Sequence, residues 1–445
     1  MAEEIARNAH RASTVLKTLS DEQRSTALYK IRDALIKSKD EILKANRIDM
    51  EEATKNKLSQ SLIKRLDLSI NGKFDSMCDG IVDVAHLEDP LNRCTLATQL
   101  DDGLELYRLT CPVGVLLIIF ESRPEVIANI TALAIKSGNA AILKGGKESL
   151  HTFKAMSEII NRVLDVSTDV PANSIQLIST RGEVSDLLKQ DLHIDLVIPR
   201  GSNELVRNIK ENTKIPVLGH ADGICSIYMD KDLDLEKACR IVVDAKTNYP
   251  AGCNAVETLL IDENLSVDLQ TQILKALLDA NVTLHIVPEL LSEIDPHLKE
   301  SYPSQLVTAT EKDFDKEFLS FDIAVKKVNG VRDAIEHINS HSSKHTDAIV
   351  TENEATADVF LKGIDSSGVY WNCSTRFADG FRYGFGTEVG ISTNKIHSRG
   401  PVGLEGLVCY YYQMRGSGQV VGDYLGGGGT RVFKHVSMDP SNVKL

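Results

Sequence analysis

The stretch from Val113 to Lys147 reads VGVLLIIFESRPEVIANITALAIKSGNAAILKGGK, and its reading decides the fold class. Val113 to Phe120 is a continuous apolar run, as expected of a strand buried on both faces. Pro124 suits the first turn of a following helix, because its fixed φ and missing N–H are tolerated there. Val126, Ile127, Ile130, Leu133 and Ala134 then recur at helical spacing. Gly138-Asn139 closes that helix, since glycine enters the left-handed region freely. Ala140 to Leu143 is a second apolar strand. A buried strand, a helix and another buried strand form a βαβ unit, hence a parallel sheet with a right-handed crossover.

The alternation continues outward. Leu150, Phe153, Met156, Ile159, Ile160 and Val163 mark a second helix, and Ser174 to Ile178 a third strand. Asp195 to Ile198 is a fourth strand, followed by Gly201-Ser202 and a short helix carrying Leu205, Val206 and Ile209. Pro216 to Leu218 is expected as a fifth. A second α/β region starts after Gly219, with an amphipathic helix over 232–249 and a strand from Glu257 to Ile261. Upstream, the first ninety residues read helical, with a capping-box start at Ser20 and Gln23. Two segments fit no alternation. One is an extended stretch from Leu104 to Leu116. The other runs from Leu407 to Val421 and includes Tyr410, Tyr411 and Tyr412.

Composition narrows the partners. The 445 residues carry a net charge of −13, which argues against nucleic acid or an anionic membrane as the main partner. The longest apolar run is too short to span a bilayer, and MAEEIARNAH has no secretory h-region. Eight scattered cysteines without a CxxC pair argue against a disulfide framework or a zinc site, and a reducing cytosol is expected.

Ligands of parallel sheets bind at the strands' C-terminal ends. Here those ends carry Lys144-Gly145-Gly146-Lys147 and Pro199-Arg200-Gly201-Ser202, without a GxGxxG fingerprint. Plain turns satisfy the same spacing, although glycine with lysine ahead of a helix favours binding. Cys253, in NYPAGCNAVET, lies where Pro250 and Gly252 break the helix and small neighbours leave room at the sulfur. A buried inert thiol and an acyl-accepting nucleophile both fit that context. His337, His341 and His345 mimic a metal triad, but serines interrupt the helix and no carboxylate spacing supports it, so no metal is assigned. The stretch from Tyr370 to Gly390, with Trp371, Arg376 and Arg382, reads as a pocket wall or a long surface loop. Arg399, in HSRGPVG, is a further candidate for an anion clamp.

FESRPEVIANITALAIKSGNAAILKGGKES, IPRGSN, LGHADGI, NYPAGCNAVET, RFADGFRYGFGTEVGIS and VNGVRDAIEHINSHSSKHTDAI together resemble the γ-glutamyl phosphate reductase family of the aldehyde dehydrogenase superfamily. The resemblance covers essentially the whole chain. It implies an α/β, aldehyde dehydrogenase-like fold with two Rossmann-like parallel-sheet domains and a small β bridging element. Residues 1–93 and 113–224 would bind NADPH, 225–405 would be catalytic, and 94–112 with 406–445 would form the bridge used in a homo-oligomer, a dimer or tetramer. The implied activity is NADPH-dependent reduction of L-glutamyl 5-phosphate to glutamate 5-semialdehyde in the cytoplasm, by a stand-alone enzyme. Docking of a glutamate 5-kinase is left open.

By the same resemblance Cys253 is the nucleophile. Lys144 is similar to the lysine at the adenosine ribose, and Glu317 to the glutamate at the nicotinamide ribose. Lys147 replaces an acid and favours a 2′-phosphate, assisted by Arg200, with Gly201 and Ser202 alongside. Arg123, Asn254, Arg376, Arg382 and Arg399 are candidates for the substrate's anionic groups, and Asp379 for its ammonium. Two departures stand out. Val217 replaces the glutamate that activates water, so a thioester should survive until hydride arrives. Glu121-Ser122 replaces the oxyanion asparagine, leaving the Cys253 N–H as first donor. A thiol aldehyde dehydrogenase releasing a free acid and a catalytically silent scaffold are the alternatives.

Overall fold

The computed structural model describes residues 2–121, 123–178, 181–201 and 203–443, the side chains of 61 and 181 excepted. Five helices open the chain: α1 (Ala2–Leu16), α2 (Asp21–Lys37), α3 (Lys39–Lys55), α4 (Gln60–Leu66) and α5 (Lys73–His86). The capping box forms as read, with the Gln23 N–H donating to Ser20 Oγ at 3.2 Å and the Ser20 N–H to Gln23 Oε1 at 2.9 Å. A hairpin follows, β1 (Cys94–Asp101) and β2 (Leu104–Pro112), turned by Gly103 at φ 67°.

The first parallel sheet comes next. Its elements are β3 (Val115–Phe120), α6 (Val126–Lys136), β4 (Ala140–Lys144), α7 (Leu150–Ser167), β5 (Ile175–Ile178), α8 (Arg181–Leu187), β6 (Leu196–Arg200) and α9 (Asn203–Asn212). The strand order is β5-β4-β3-β6, with every pair parallel. Alternate residues of β3 face opposite layers. Leu116, Ile118 and Phe120 pack with α2, α5, α6 and α7. Val115, Leu117 and Ile119 pack with α1, α8 and α9.

Three sequence expectations shift here. The strand starts at Val115 because Gly114 stands at φ 131°, where an added Cβ would meet Asp195 at 2.2 Å. Pro124 precedes the N-cap Glu125 rather than entering the first turn. The strand expected over Pro216 to Leu218 is a single bridge, Val197 to Val217, as the chain leaves for its second half.

That half contains β7 (Cys225–Met229), α10 (Leu235–Thr247), β8 (Val256–Asp262), α11 (Val267–Asp279), β9 (Thr283–Ile286), α12 (Pro288–Glu293), α13 (Pro296–Ser301), β10 (Leu306–Thr308), β11 (Asp322–Val328), α14 (Gly330–His341), β12 (Thr346–Val350), α15 (Glu354–Gly363) and β13 (Gly368–Trp371). Its parallel sheet runs β10-β9-β11-β8-β7-β12-β13. A short pair, β14 (Gly390–Ser392) and β15 (Gly400–Val402), follows. The chain ends in β16 (Val408–Arg415) and β17 (Val436–Met438), which flank the early hairpin in the antiparallel order β16-β2-β1-β17. The extended run expected to reach Val421 stops at Arg415, where Gly416 and Gly418, the latter at φ 100°, turn the chain. Among the described residues, no helix is long and apolar enough to cross a membrane.

This topology positions the site. After β3 the chain builds β4 and β5 on one side and then β6 on the other, so the C-terminal ends of β3 and β6 flank a switch point. The loops ahead of β7, β8 and β12 meet that edge, bringing the N-terminal edge of the second sheet against the C-terminal edge of the first.

Candidate active site

Cys253 sits in the turn between α10 and β8. The Gly252 N–H donates to Tyr249 O at 3.0 Å, and the Ala255 N–H to Gly252 O at 2.9 Å. The start of β7 and the segment after β13 clamp the loop. The Cys225 thiol, at the start of β7, donates to the Cys253 carbonyl at 3.4 Å. Thr375 Oγ1 donates to Asn254 O at 2.7 Å, and Asn254 Nδ2 to Ala378 O at 2.9 Å. Gly223 abuts the Cys253 backbone so closely that a Cβ there would lie 2.2 Å from the Cys253 carbonyl oxygen. The loop is therefore packed, and Cys253 is half-buried rather than openly exposed. Burial pushes its thiol up to about 12, against the pull of Arg200 and Arg376 and with a push from Glu317 and Glu388. At neutral pH the resting sulfur is a thiol.

Those charged groups form the wall. Arg200 ends β6 and lies 4.0 Å from Glu388, whose carboxylate accepts the Gly380 N–H at 2.8 Å. Burial raises Glu388, while Arg200 and Arg123 pull it back. Glu317 is also raised by burial, and it accepts from Asn203 Nδ2 at 3.2 Å. The Arg376 guanidinium presses on Gly252, where a Cβ would stand 2.6 Å from it, and lies 5.7 Å over the Tyr249 ring. Arg382 donates to Arg376 O at 3.1 Å and lies 3.8 Å from Asp379. Asp379 itself accepts the N–H groups of Phe381 and Arg382, closing a turn. Arg399 is not brought into this wall: it donates to Asp365 O at 2.9 Å and pairs with the Asp365 carboxylate at 3.5 Å. Beneath the loop, Lys246 and Glu257 form a fully buried ion pair at 2.5 Å, with Glu257 pushed up to about 7 by burial.

On the first sheet, Lys144 ends β4 with its ammonium on the Gly145 carbonyl, and Lys147 is exposed just before α7. Packing alone accounts for two glycines: a Cβ on Gly145 would meet the Phe153 ring at 1.9 Å, and one on Gly201 the Glu121 carboxyl at 2.7 Å. Ser202 lies outside the described residues. Lys144, Lys147 and Arg200 place three cations at or just beyond strand ends bordering the switch point, a donor set that fits a phosphate-bearing dinucleotide.

His220 escaped sequence reasoning, and His345 was read only as part of a spaced histidine set. His220 and His345 each bring a ring nitrogen to the Cys253 sulfur, the three atoms lying within 4.8 Å of one another. His337 and His341 do not share this place. Their rings pack together on α14 at 4.4 Å, with His341 bonded to Asp315, while His345 lies beyond the helix. Glu388 was equally hidden, inside a stretch read only as a pocket wall.

The aldehyde dehydrogenase family profile matches residues 1–290. The chain is 60% identical to the γ-glutamyl phosphate reductase of Saccharomyces cerevisiae over 456 aligned residues, covering 100% of this chain and 99% of that one. It is 47% identical to the enzyme of the same name from Acetivibrio thermocellus, with 98% of each chain covered. The crystal structure of γ-glutamyl phosphate reductase from Thermotoga maritima superposes with a TM-score of 0.88 at 36% identity, covering 94% of this chain and 99% of that one. On this fold, this site and these similarities, the chain belongs to the aldehyde dehydrogenase family, among its γ-glutamyl phosphate reductases.

Proposed function

We propose that this chain reduces L-glutamyl 5-phosphate to L-glutamate 5-semialdehyde and phosphate with NADPH, through a thioester on Cys253, as the second step of proline biosynthesis from glutamate. The observation that carries the reading is the position of Cys253, between Arg200 and Arg376 at the switch-point edge. NADPH, when bound, supplies the hydride that reduces the acyl carbon. The chain's own residues do the rest. Cys253 attacks the acyl phosphate, and phosphate departs toward the arginine wall of Arg123, Arg200, Arg376 and Arg382. The Cys253 N–H receives the oxyanion. The position of the water-activating glutamate holds Val217, which has no titratable group. Glu317 and Glu388 face the thiol, but Asn203 holds the first, and the Gly380 N–H and Arg200 hold the second.

Lys144 and Lys147 support a phosphate-bearing dinucleotide, and the absence of an acid at Lys147 supports NADPH over NADH. Residues 1–93 with 113–224 serve as the cofactor domain, 225–405 as the catalytic domain, and 94–112 with 406–445 as the bridge of a homo-oligomer in the cytoplasm. The test is Cys253→Ala, assayed as phosphate-dependent NADP reduction by the semialdehyde. Turnover is expected to vanish, and wild-type-like turnover overturns the assignment. Product formed without phosphate favours a hydrolytic aldehyde dehydrogenase instead.

A further inference from the structure

The resting Cys253 is protonated, so the reaction needs somewhere to put its proton. Among the described residues, the charged groups acting on the sulfur are Arg200, Arg376, Glu317 and Glu388, and both arginines hold their protons. Glu317 and Glu388 are each engaged by hydrogen-bond donors. What remains is the histidine pair. His220 follows the Val197–Val217 bridge, in the chain's passage from the first sheet to the second. His345 immediately precedes β12. Their rings meet edge to face with centroids 5.1 Å apart.

The hydrogen bonds fix the His220 ring. Its Nδ1 lies 3.1 Å from the carbonyl of Ile391, which only accepts, so Nδ1 carries the hydrogen and Nε2 the lone pair. His345 is fully buried, with Nδ1 2.9 Å from Thr346 Oγ1 and a buried Nε2 that has no hydrogen-bond partner among the described residues. A buried, unpartnered ring nitrogen facing a second imidazole and a thiol is an unfinished hydrogen-bond set. Burial lowers both rings and so favours their neutral forms, which leaves a ring nitrogen of each with a free lone pair. Arg200, Lys210 and Asp222 are the charged groups bearing on His220.

We propose that His220 is the general base and acid of Cys253, and that His345 is the positioning residue that holds His220 and shares its proton. This rests on the reading of Cys253 as the nucleophile. In acylation the sulfur–carbon bond forms as the thiol proton moves to His220 Nε2. The carbon–oxygen bond to phosphate then breaks, and that proton leaves with the phosphate. When the reduced thioester collapses, His220 returns a proton drawn from solvent to the departing sulfur. The spacing of up to 4.8 Å must close by up to about 1.5 Å, or be bridged by one water, as is common before substrate binds.

The test uses p-nitrophenyl acetate without cofactor, reading the burst of p-nitrophenolate as Cys253 is acylated. Cys253→Ala losing the burst confirms that the probe reports this sulfur. A burst that persists in Cys253→Ala sinks the nucleophile reading itself, and the proposal with it. With the burst assigned, His220→Ala should slow it about 10²-fold at pH 7. In wild type the rate should rise through the imidazole range and level off. In His220→Ala it should instead climb toward the thiol's own ionisation, about 12, and added imidazole should restore part of the loss. His220→Gln, which can keep the Ile391 contact, should behave alike if His220→Ala fails to fold. His345→Gln should shift the inflection of the pH profile, an effect that a merely structural role would not produce. An unchanged burst in the His220 variants overturns the proposal, as does a slower one with a wild-type profile and no rescue. A burst lost on chelation and restored by Zn²⁺ makes the cluster a metal centre and also overturns it.

Discussion

Gly223 shows how tightly single residues set this chemistry. A methyl group there would stand 2.2 Å from the Cys253 carbonyl oxygen and 2.5 Å from its Cα, so the Cys253 backbone must move. Gly223→Ala should cut turnover about 100-fold, since a displacement near 1 Å is enough for such a loss. Steady-state assay beside thermal melting checks this, because a folded, inactive protein is expected. Lys147→Glu should weaken NADPH more than NADH, read as the ratio of the two KM values; an unchanged ratio counts against its role at the 2′-phosphate. Cys253 was legible as a broken, small-residue turn, and its family context named it. His220 was not legible. It lies in LGHADGI, a stretch read for its family resemblance and, at the adjoining Val217, for a missing glutamate, and its nearness to Cys253 is made by the fold. His337, His341 and His345 would share one face only on a continuous helix, and the serines between them were read as interrupting it. The helix ends at His341, and that turned His345 elsewhere.

Among the elements, α10 and β8 carry the sharpest energetic feature. Lys246 on one and Glu257 on the other are fully buried and paired. Lys246→Met leaves Glu257 without its cation, and removing one partner of such a pair costs about 3–5 kcal/mol. The loss should be greatest above pH 7 and shrink as pH falls, because Glu257, already raised to about 7, then takes a proton and needs no partner. Denaturant unfolding at pH 5 and pH 8 measures the difference, and equal losses count against the pairing. The buried strands of the first sheet were legible because they are apolar throughout. The Pro216 to Leu218 segment looked the same but has one neighbour along one rung, and a short apolar run does not reveal how many partners it finds. Strand β1, CTLATQLD, is mixed in character and gains its identity only from pairing with β2 and β17.

At the scale of the whole molecule, the first and last thirds of the sequence meet in one antiparallel sheet. Its outer strand β16 exposes Tyr410, Tyr411 and Tyr412 in succession, at 58%, 41% and 57%. Successive strand residues point to opposite faces, so the strand is uncovered on both. Buried in a homo-oligomer, those rings would be shielded. Tyr410→Lys with Tyr412→Lys should lower the mass seen by light scattering while leaving the melting of the two parallel-sheet halves in place. The second consequence of the architecture concerns durability. A sulfur that ionises near 12 is, at pH 7, about one part in 10⁵ thiolate, against a few per cent for free cysteine. Peroxides and electrophiles attack thiolates. Iodoacetamide at neutral pH should therefore label Cys253 far more slowly than it labels free cysteine. If Cys253 is the attacking sulfur, it waits in a dormant form between turnovers, with its proton still in place.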